Sequence, residues 1–308
     1  MTRRALIIGY GSIGIRHARV LEAMGFAVAI VSRRGSADGR PAFATMALAL
    51  EKGPFDHIVV ADETSRHVES LAQVARSGHS GSVLVEKPLF AAPTLIPMHS
   101  FRCSGVGYNL RFHPAVRALR VALAGRRVQM ADLHVGQWLG DWRPGRAVAA
   151  TYSATRAAGG GALRDLSHEL DLATWLFGPW QMVAAIGGRL GSVTVDADDG
   201  WEILLACERS PVVRLHLDTL DRAGRRTITV HVDGDTLRAD LMQGTLRVGQ
   251  KEMVFATERD SAFLAMHEAL LGGSHEVCSL DEGLSVVRLI AAVESAERER
   301  RWIAREAA

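Results

Sequence analysis

Three stretches of this sequence combine residue types and spacings that could do chemistry: Gly9-Tyr10-Gly11-Ser12-Ile13-Gly14, Glu86-Lys87-Pro88, and Gly159-Gly160-Gly161 followed by Asp165, His168 and Asp171. The first is a GxGxxG pattern between an apolar run at 5–8 and apolar residues at helical spacing (Ile13, Ala18, Val20, Leu21, Met24). In that setting glycines allow a tight turn, close approach of a pyrophosphate and close helix packing, while the helix N-terminus offers free N–H groups and a positive dipole. Gly9, Gly11, Ser12, Ile13 and Gly14 are therefore expected to hold a dinucleotide, the plainer alternative being an ordinary strand-to-helix turn. The ribose is read about 20 residues further on, at the end of the second strand. There stand Ser32, Arg33 and Arg34 with no acid. Hydroxyl and guanidinium donors suit a 2′-phosphate, whereas a carboxylate would accept from a 2′-hydroxyl. The expected cofactor is NADP(H), with NAD(H) possible.

Glu86-Lys87-Pro88 follows an apolar run at 82–85, at the sheet edge where open α/β folds bind ligands. Spacings of three place Asp165, His168 and Asp171 on one helical face, and a carboxylate beside an imidazole can orient it for proton transfer. The neighbouring glycines leave room for a ligand or another backbone. A capped helix with a surface histidine is the plain alternative.

The elements that must position these residues change character along the chain. Apolar runs at 5–8, 26–31, 56–60 and 82–85 alternate with helical segments at 13–24, 44–50 and 64–76. Strands apolar on both faces and alternating with helices indicate a parallel sheet covered on both sides. After 106 the pattern becomes a series of strand candidates at 128–138, 182–186, 201–207, 212–217, 227–232, 236–241 and 245–248, with Asp233-Gly234-Asp235 as a hairpin turn. Helices at 261–271 and 281–299 close the chain. The expected fold is α/β: a doubly wound Rossmann domain over 1–106, then an α+β domain over 107–308 with a largely antiparallel sheet.

Composition narrows the function. Hydrophobic residues make up 48% and charged residues 23%, enough for normal interiors. A net charge of +2 with scattered basic residues argues against nucleic acid. No run of about 18 apolar residues supports a membrane span, and the basic start reads as a first strand, so a cytoplasmic protein is expected. Cys103, Cys207 and Cys278 lack metal-site spacing and read as reduced thiols; no metal is expected. His17, His57, His79, His134, His216, His231, His267 and His275 form no spaced set and read as structural.

Taken together, the glycine loop, Val59-Val60-Ala61-Asp62-Glu63-Thr64-Ser65-Arg66-His67, Glu86-Lys87-Pro88 and 159–178 with its His168-Glu169-Leu170-Asp171 core resemble the glucose-fructose oxidoreductase, inositol dehydrogenase and rhizopine-catabolism (Gfo/Idh/MocA) family. The resemblance implies Lys87 beside nicotinamide and substrate carbonyl, His168 as acid/base, and Asp165 as supporting acid. It also places Ala61, Glu63, His67 and Glu86 at the cofactor, and implies a homodimer or homotetramer. Two departures stand out: Asp165 lies one residue closer to His168 than in the family's Asp-x-x-x-His, and Glu63 replaces a common Pro. Asn109 to Pro114 and Asp141 to Arg146 resemble a branch acting in surface-sugar biosynthesis. Arg111, His113 and Arg143 are candidates for a polar or anionic substrate, and Trp142 for stacking on a sugar ring, against a structural arginine network and an apolar plug. The implied activity is carbonyl/alcohol interconversion on a carbohydrate-like small molecule. Alternatives are a biliverdin-reductase-like or imine reductase, and a dinucleotide sensor without turnover.

Overall fold

The computed structural model describes residues 2–32, 35, 38–142, 152–191 and 196–306. These fall into two compact units, one of 1–109 with 259–285 and one of 110–258 with 286–308.

The first unit is a six-stranded parallel sheet of β1 (Arg4–Ile8), β2 (Ala27–Val31), β3 (Ala42–Phe43), β4 (His57–Val60), β5 (Ser82–Val85) and β6 (Cys103–Val106), in the order β3-β2-β1-β4-β5-β6. Helices α1 (Ser12–Ala23), α2 (Met46–Leu50) and α3 (His67–Arg76) connect its strands. Ile7, Ile58, Val59 and Leu84 are fully buried, each such side chain contributing about 1.5–3 kcal/mol. Continuous apolar runs mark sheets buried on both faces, so these strands were legible. β6 was not, because Ser104 and Gly105 read as loop. Gly105 is required there, since a Cβ would collide with Val277.

The second unit is built on a nine-stranded sheet whose pairs are antiparallel except β7–β10. Its strands are β7 (Val128–Gly136), β8 (Trp180–Gly188), β9 (Gly200–Cys207), β10 (Ser210–Asp218), β11 (Arg225–Val232), β12 (Asp235–Asp240), β13 (Thr245–Val248), β14 (Lys251–Val254) and β15 (Ile303–Ala304), ordered β14-β13-β12-β11-β7-β10-β9-β8-β15. Ala131, Leu133, Ile203, Leu205, Val213 and Leu215 bury one face. Helices α4 (Pro114–Leu123), α5 (Ala162–Asp165) and α6 (His168–Phe177) precede β8. Gly234 turns β11 into β12 at φ +78°, a conformation glycine adopts without strain.

The units are not consecutive in sequence, whereas a boundary after 106 assigns everything later to the second domain. Helix α7 (Ser261–Leu271) belongs to the first unit, where its His267 is buried against His17 of α1 and His57 of β4. The second division falls inside α8 (Leu280–Glu299). Among the described residues no helix is long and apolar enough to cross a membrane, and the three cysteines are unbridged.

Candidate functional site

In the parallel unit the chain leaves β1 at Ile8 and enters α1 through the glycine loop. Gly9 has φ +92°, and a Cβ there would stand 2.5 Å from the Asp62 nitrogen and 2.6 Å from the Ala61 carbonyl. A Cβ on Gly14 would collide with the Gly9 carbonyl. Gly11 differs, for among the described residues nothing lies within 4 Å of its Cβ position. Gly9 and Gly14 thus permit close packing, and Gly11 leaves open space at the start of α1. There the Ile15 N–H, donating to the Gly11 carbonyl at 3.0 Å, is already in a helical bond. The N–H groups before it, on Ser12, Ile13 and Gly14, have no acceptor within the helix. A pyrophosphate fits that donor set.

At the end of β2 the Ser32 N–H donates to the Phe43 carbonyl at 3.0 Å, while Arg33 and Arg34 lie outside the described residues. An acid that the sequence reading did not weigh stands beside the glycine loop. Asp38 Oδ2 accepts from the Tyr10 hydroxyl at 2.7 Å, and Arg40 donates to Tyr10 at 2.6 Å, to Asp38 at 2.9 Å and to Glu22 at 2.6 and 2.7 Å. Burial, then Asp38, raise the Tyr10 phenol above its usual value.

Beyond β4, Ala61 is buried with its carbonyl against Gly9, and Glu63 is exposed before the 3₁₀ turn Thr64–Arg66. His67 is not open to a cofactor. It is buried with Nδ1 facing the Pro88 and Leu89 carbonyls at 3.1 and 3.2 Å and Nε2 facing the Asp62 carbonyl at 3.2 Å, so it braces two loops. Glu86 is likewise turned inward, Oε1 lying 2.8 Å from His17 Nε2. Lys87, at the carboxyl end of β5, is half-buried.

In the second unit Asp165 ends α5 and His168 opens α6, with Leu166 and Ser167 between. The single helical face expected for Asp165, His168 and Asp171 is therefore broken, although Asp165 and His168 are both half-buried. Gly161 has φ +118°, and a Cβ there would collide with the Asp198 carboxylate. That carboxylate accepts from the Leu163 N–H at 2.8 Å and Trp201 Nε1–H at 2.7 Å. Room left by the glycine is taken by a side chain that caps α5.

Asp171 is buried, and so is its partner Arg111, which donates to it from two nitrogens. Arg111 was a substrate candidate; enclosed and paired, it belongs to the structural alternative. His113 caps α4, its Nδ1 accepting from the Ala115 N–H at 3.2 Å, and burial lowers its pKa. Trp142 is half-buried at the end of the 3₁₀ turn Leu139–Trp142, and its Nε1–H has no partner among the described residues. Arg143 lies outside the described residues.

Cross-strand pairing produces a cluster that the sequence did not reveal. His134 and His216 stack with ring centroids 4.2 Å apart, and His216 Nδ1 and Nε2 lie 2.6 and 2.7 Å from Glu202 and Asp218. Both His216 nitrogens are thereby occupied by carboxylates, an ion-pair cluster on the solvent-facing side of the sheet.

Within the second unit, residues 127–238 match the model of the GFO/IDH/MocA C-terminal domain. No curated protein matches the chain by sequence. Among solved structures, the chain is similar to GenD2 from gentamicin A biosynthesis in complex with NAD, at 21% identity and TM-score 0.83 over 99% of this chain and 97% of that one. It is similar to the WlbA dehydrogenase from Bordetella pertussis in complex with NADH and UDP-GlcNAcA, at 19% identity and TM-score 0.81 over 100% and 99%. Levoglucosan dehydrogenase with NADH and L-sorbose matches at 15% identity and TM-score 0.84, over 98% of each chain. At these identities the likeness is one of fold.

Proposed function

We propose that this protein is a nicotinamide-dependent oxidoreductase that interconverts a carbonyl and an alcohol on a sugar, sugar derivative or cyclic polyol. The observation that carries the reading is the glycine loop, in which, among the described residues, Gly11 alone of the three motif glycines faces open space, at the start of α1. The bound nicotinamide would supply hydride transfer. Gly11, Ser12, Ile13 and Gly14 would hold its pyrophosphate through backbone N–H groups, and Gly9, whose N–H donates to the Val31 carbonyl, would shape the turn. Lys87 would hydrogen-bond the substrate oxygen and stabilise negative charge developing on it, and His168 would give or take the proton, with Asp165 supporting it. Trp142 and Arg143 remain candidates for the substrate. The fold likeness to GenD2, crystallised with NAD, and to two dehydrogenases crystallised with NADH and a sugar ligand supports this reading.

The finer reading is NADP(H), carried by Ser32, Arg33 and Arg34 as donors to a 2′-phosphate. Asp38 favours NAD(H) as the second reading, because it stands at Tyr10 of the glycine loop. We further propose a homodimer or homotetramer formed through the outer face of the nine-stranded sheet, where Met130, Met182, Leu204 and Val212 are exposed. A place in surface-sugar biosynthesis fits the Asn109 to Pro114 and Asp141 to Arg146 segments.

Incubating the protein with NAD(P)⁺ and a panel of sugars and polyols, and with NAD(P)H and the matching ketoses, tests the reading. Substrate-dependent change in nicotinamide absorbance is expected. Tight nucleotide binding with no turnover of any polyol or ketose would make it a sensor instead.

A further inference from the structure

Three histidines that no spacing along the chain groups form one hydrogen-bonded string inside the parallel unit. His57 Nε2 lies 3.1 Å from His267 Nδ1, His267 Nε2 lies 2.8 Å from His17 Nδ1, and His17 Nε2 lies 2.8 Å from Glu86 Oε1. All three rings are 0% exposed and Glu86 is 6% exposed. Phe263 packs edge-on to His17, and Phe26 leans on His57. The string ends beside Lys87, because Glu86 Oε2 accepts the Lys87 backbone N–H at 3.2 Å. Gly107 completes the fit: a Cβ there would lie 2.6 Å from Glu86 Oε1.

The direction of the protons follows from the Glu86 end and the charge of His17. Burial raises the Glu86 carboxyl, but the His17 hydrogen bond and charge and the Lys87 charge outweigh it, leaving the group below its usual value and ionised. An ionised Glu86 can only accept, so His17 donates from Nε2. Burial first, then repulsion from His17, lowers His57 to about 3, and the same causes lower His267, so both are neutral rings with one N–H each. His57 Nδ1 makes no hydrogen bond of its own among the described residues, while the Ser82 backbone favours a proton on the ring. With a neutral His17, its Nδ1 accepts from His267 and all three rings carry hydrogen on Nε2 and donate towards Glu86; a charged His17 donates from Nδ1 as well and reverses the two bonds beyond it.

A stable core needs none of this, since well-packed apolar side chains of similar size serve stability as well as a buried ionic network or better. We propose that His57, His267 and His17 are positioning residues for Lys87: their string fixes His17, His17 fixes Glu86 as a carboxylate, and Glu86 fixes the Lys87 backbone and its charge. This rests on the assignment of Lys87 to the reaction.

The experiment compares His17→Gln, His17→Leu, His267→Leu and Lys87→Ala in the full chain with cofactor and its best substrate. Gln keeps a donor nitrogen where His has Nε2 and loses Nδ1. His17→Leu should lower kcat by up to about 10²-fold, the scale of a small misplacement of a reacting group, with KM and nucleotide Kd near wild type. His17→Gln should recover most of that loss, and His267→Leu should fall between them. Equal losses in His17→Gln and His17→Leu, or wild-type kcat in His17→Leu, would overturn the inference. Wild-type kcat in Lys87→Ala would instead remove Lys87 from the reaction and the inference with it, whereas Lys87→Ala inactive beside a fully active His17→Leu would sink the string alone. An independent readout is ¹⁵N NMR of the histidine-labelled, cofactor-free protein. His57 and His267 are expected to share one tautomer, Nε2–H beside a neutral His17 or Nδ1–H beside a charged one, and different tautomers at the two rings would break the string and contradict the inference.

Discussion

Arg111 and Asp171 hold each other in a bidentate ion pair, with Nη2 2.7 Å from Oδ1 and Nε 3.0 Å from Oδ2, and each side chain is only 1% exposed. Removing one partner leaves the other charge buried and unmatched, which destabilises a protein by roughly 3–5 kcal/mol. Asp171→Ala is therefore expected to lower the urea midpoint steeply, and an Arg111→Met, Asp171→Leu pair much less. If the pair is structural, an active double variant keeps wild-type KM. A raised KM with unchanged stability would return Arg111 to the substrate.

The glycines of the loop predict opposite failures. Gly11→Val should leave the fold intact and abolish nucleotide binding, because its side chain would fill space that is open beside α1. Gly14→Val should destabilise the fold itself, since its Cβ meets the Gly9 carbonyl. Nucleotide titration and thermal unfolding of both variants separate the two effects. Tight nucleotide binding by folded Gly11→Val would show that the phosphates lie elsewhere.

Cofactor preference turns on Arg33 and Arg34 against Asp38. Charge-assisted bonds of roughly 1.5–3 kcal/mol correspond to about ten- to a hundred-fold in affinity. The Arg33→Ala, Arg34→Ala double variant should lose that factor for NADP(H) and little for NAD(H). A loss of NAD(H) affinity in Asp38→Ala, with wild-type preference already for NAD(H), would favour the second reading.

Stability should fall on both sides of neutrality for two histidines of opposite sign. His216 has its folded pKa raised by the Asp218 hydrogen bond, which with Glu202 outweighs burial. Its contribution is present below the unfolded value of about 6.5 and is lost as pH rises through the higher folded value. His57 is lowered to about 3, chiefly by burial, so the unfolded chain binds the extra proton and stability falls as pH drops from about 6.5 towards 3. Chemical denaturation across pH should give a flatter alkaline limb in His216→Gln. An unchanged limb would show that the cluster is not held by charge.

What the sequence disclosed depended on how local the cause was. The run at 5–8, the glycine loop and the alternation of 128–136 are set by neighbours along the chain, so strand, turn and face were legible. His17, His57 and His267 meet only because α1, β4 and α7 pack together, and no spacing within one segment announces that. Asp165 and His168 failed as a helical pair because α5 stops at Asp165 and α6 begins at His168. Lys87 and His168 were readable only as a motif resemblance, since nothing in their local spacing distinguishes them from a loop lysine and a helix-end histidine.

Turnover of Lys87→Ala and His168→Ala, measured with the best sugar substrate alongside nucleotide Kd, tests the central claim most directly. Each variant is expected to lose roughly 10²- to 10⁴-fold in kcat with nucleotide affinity within about twofold of wild type. The double variant should lose far less than the product of the single losses, because groups acting on one oxygen are not additive. Wild-type kcat in both single variants would contradict the account.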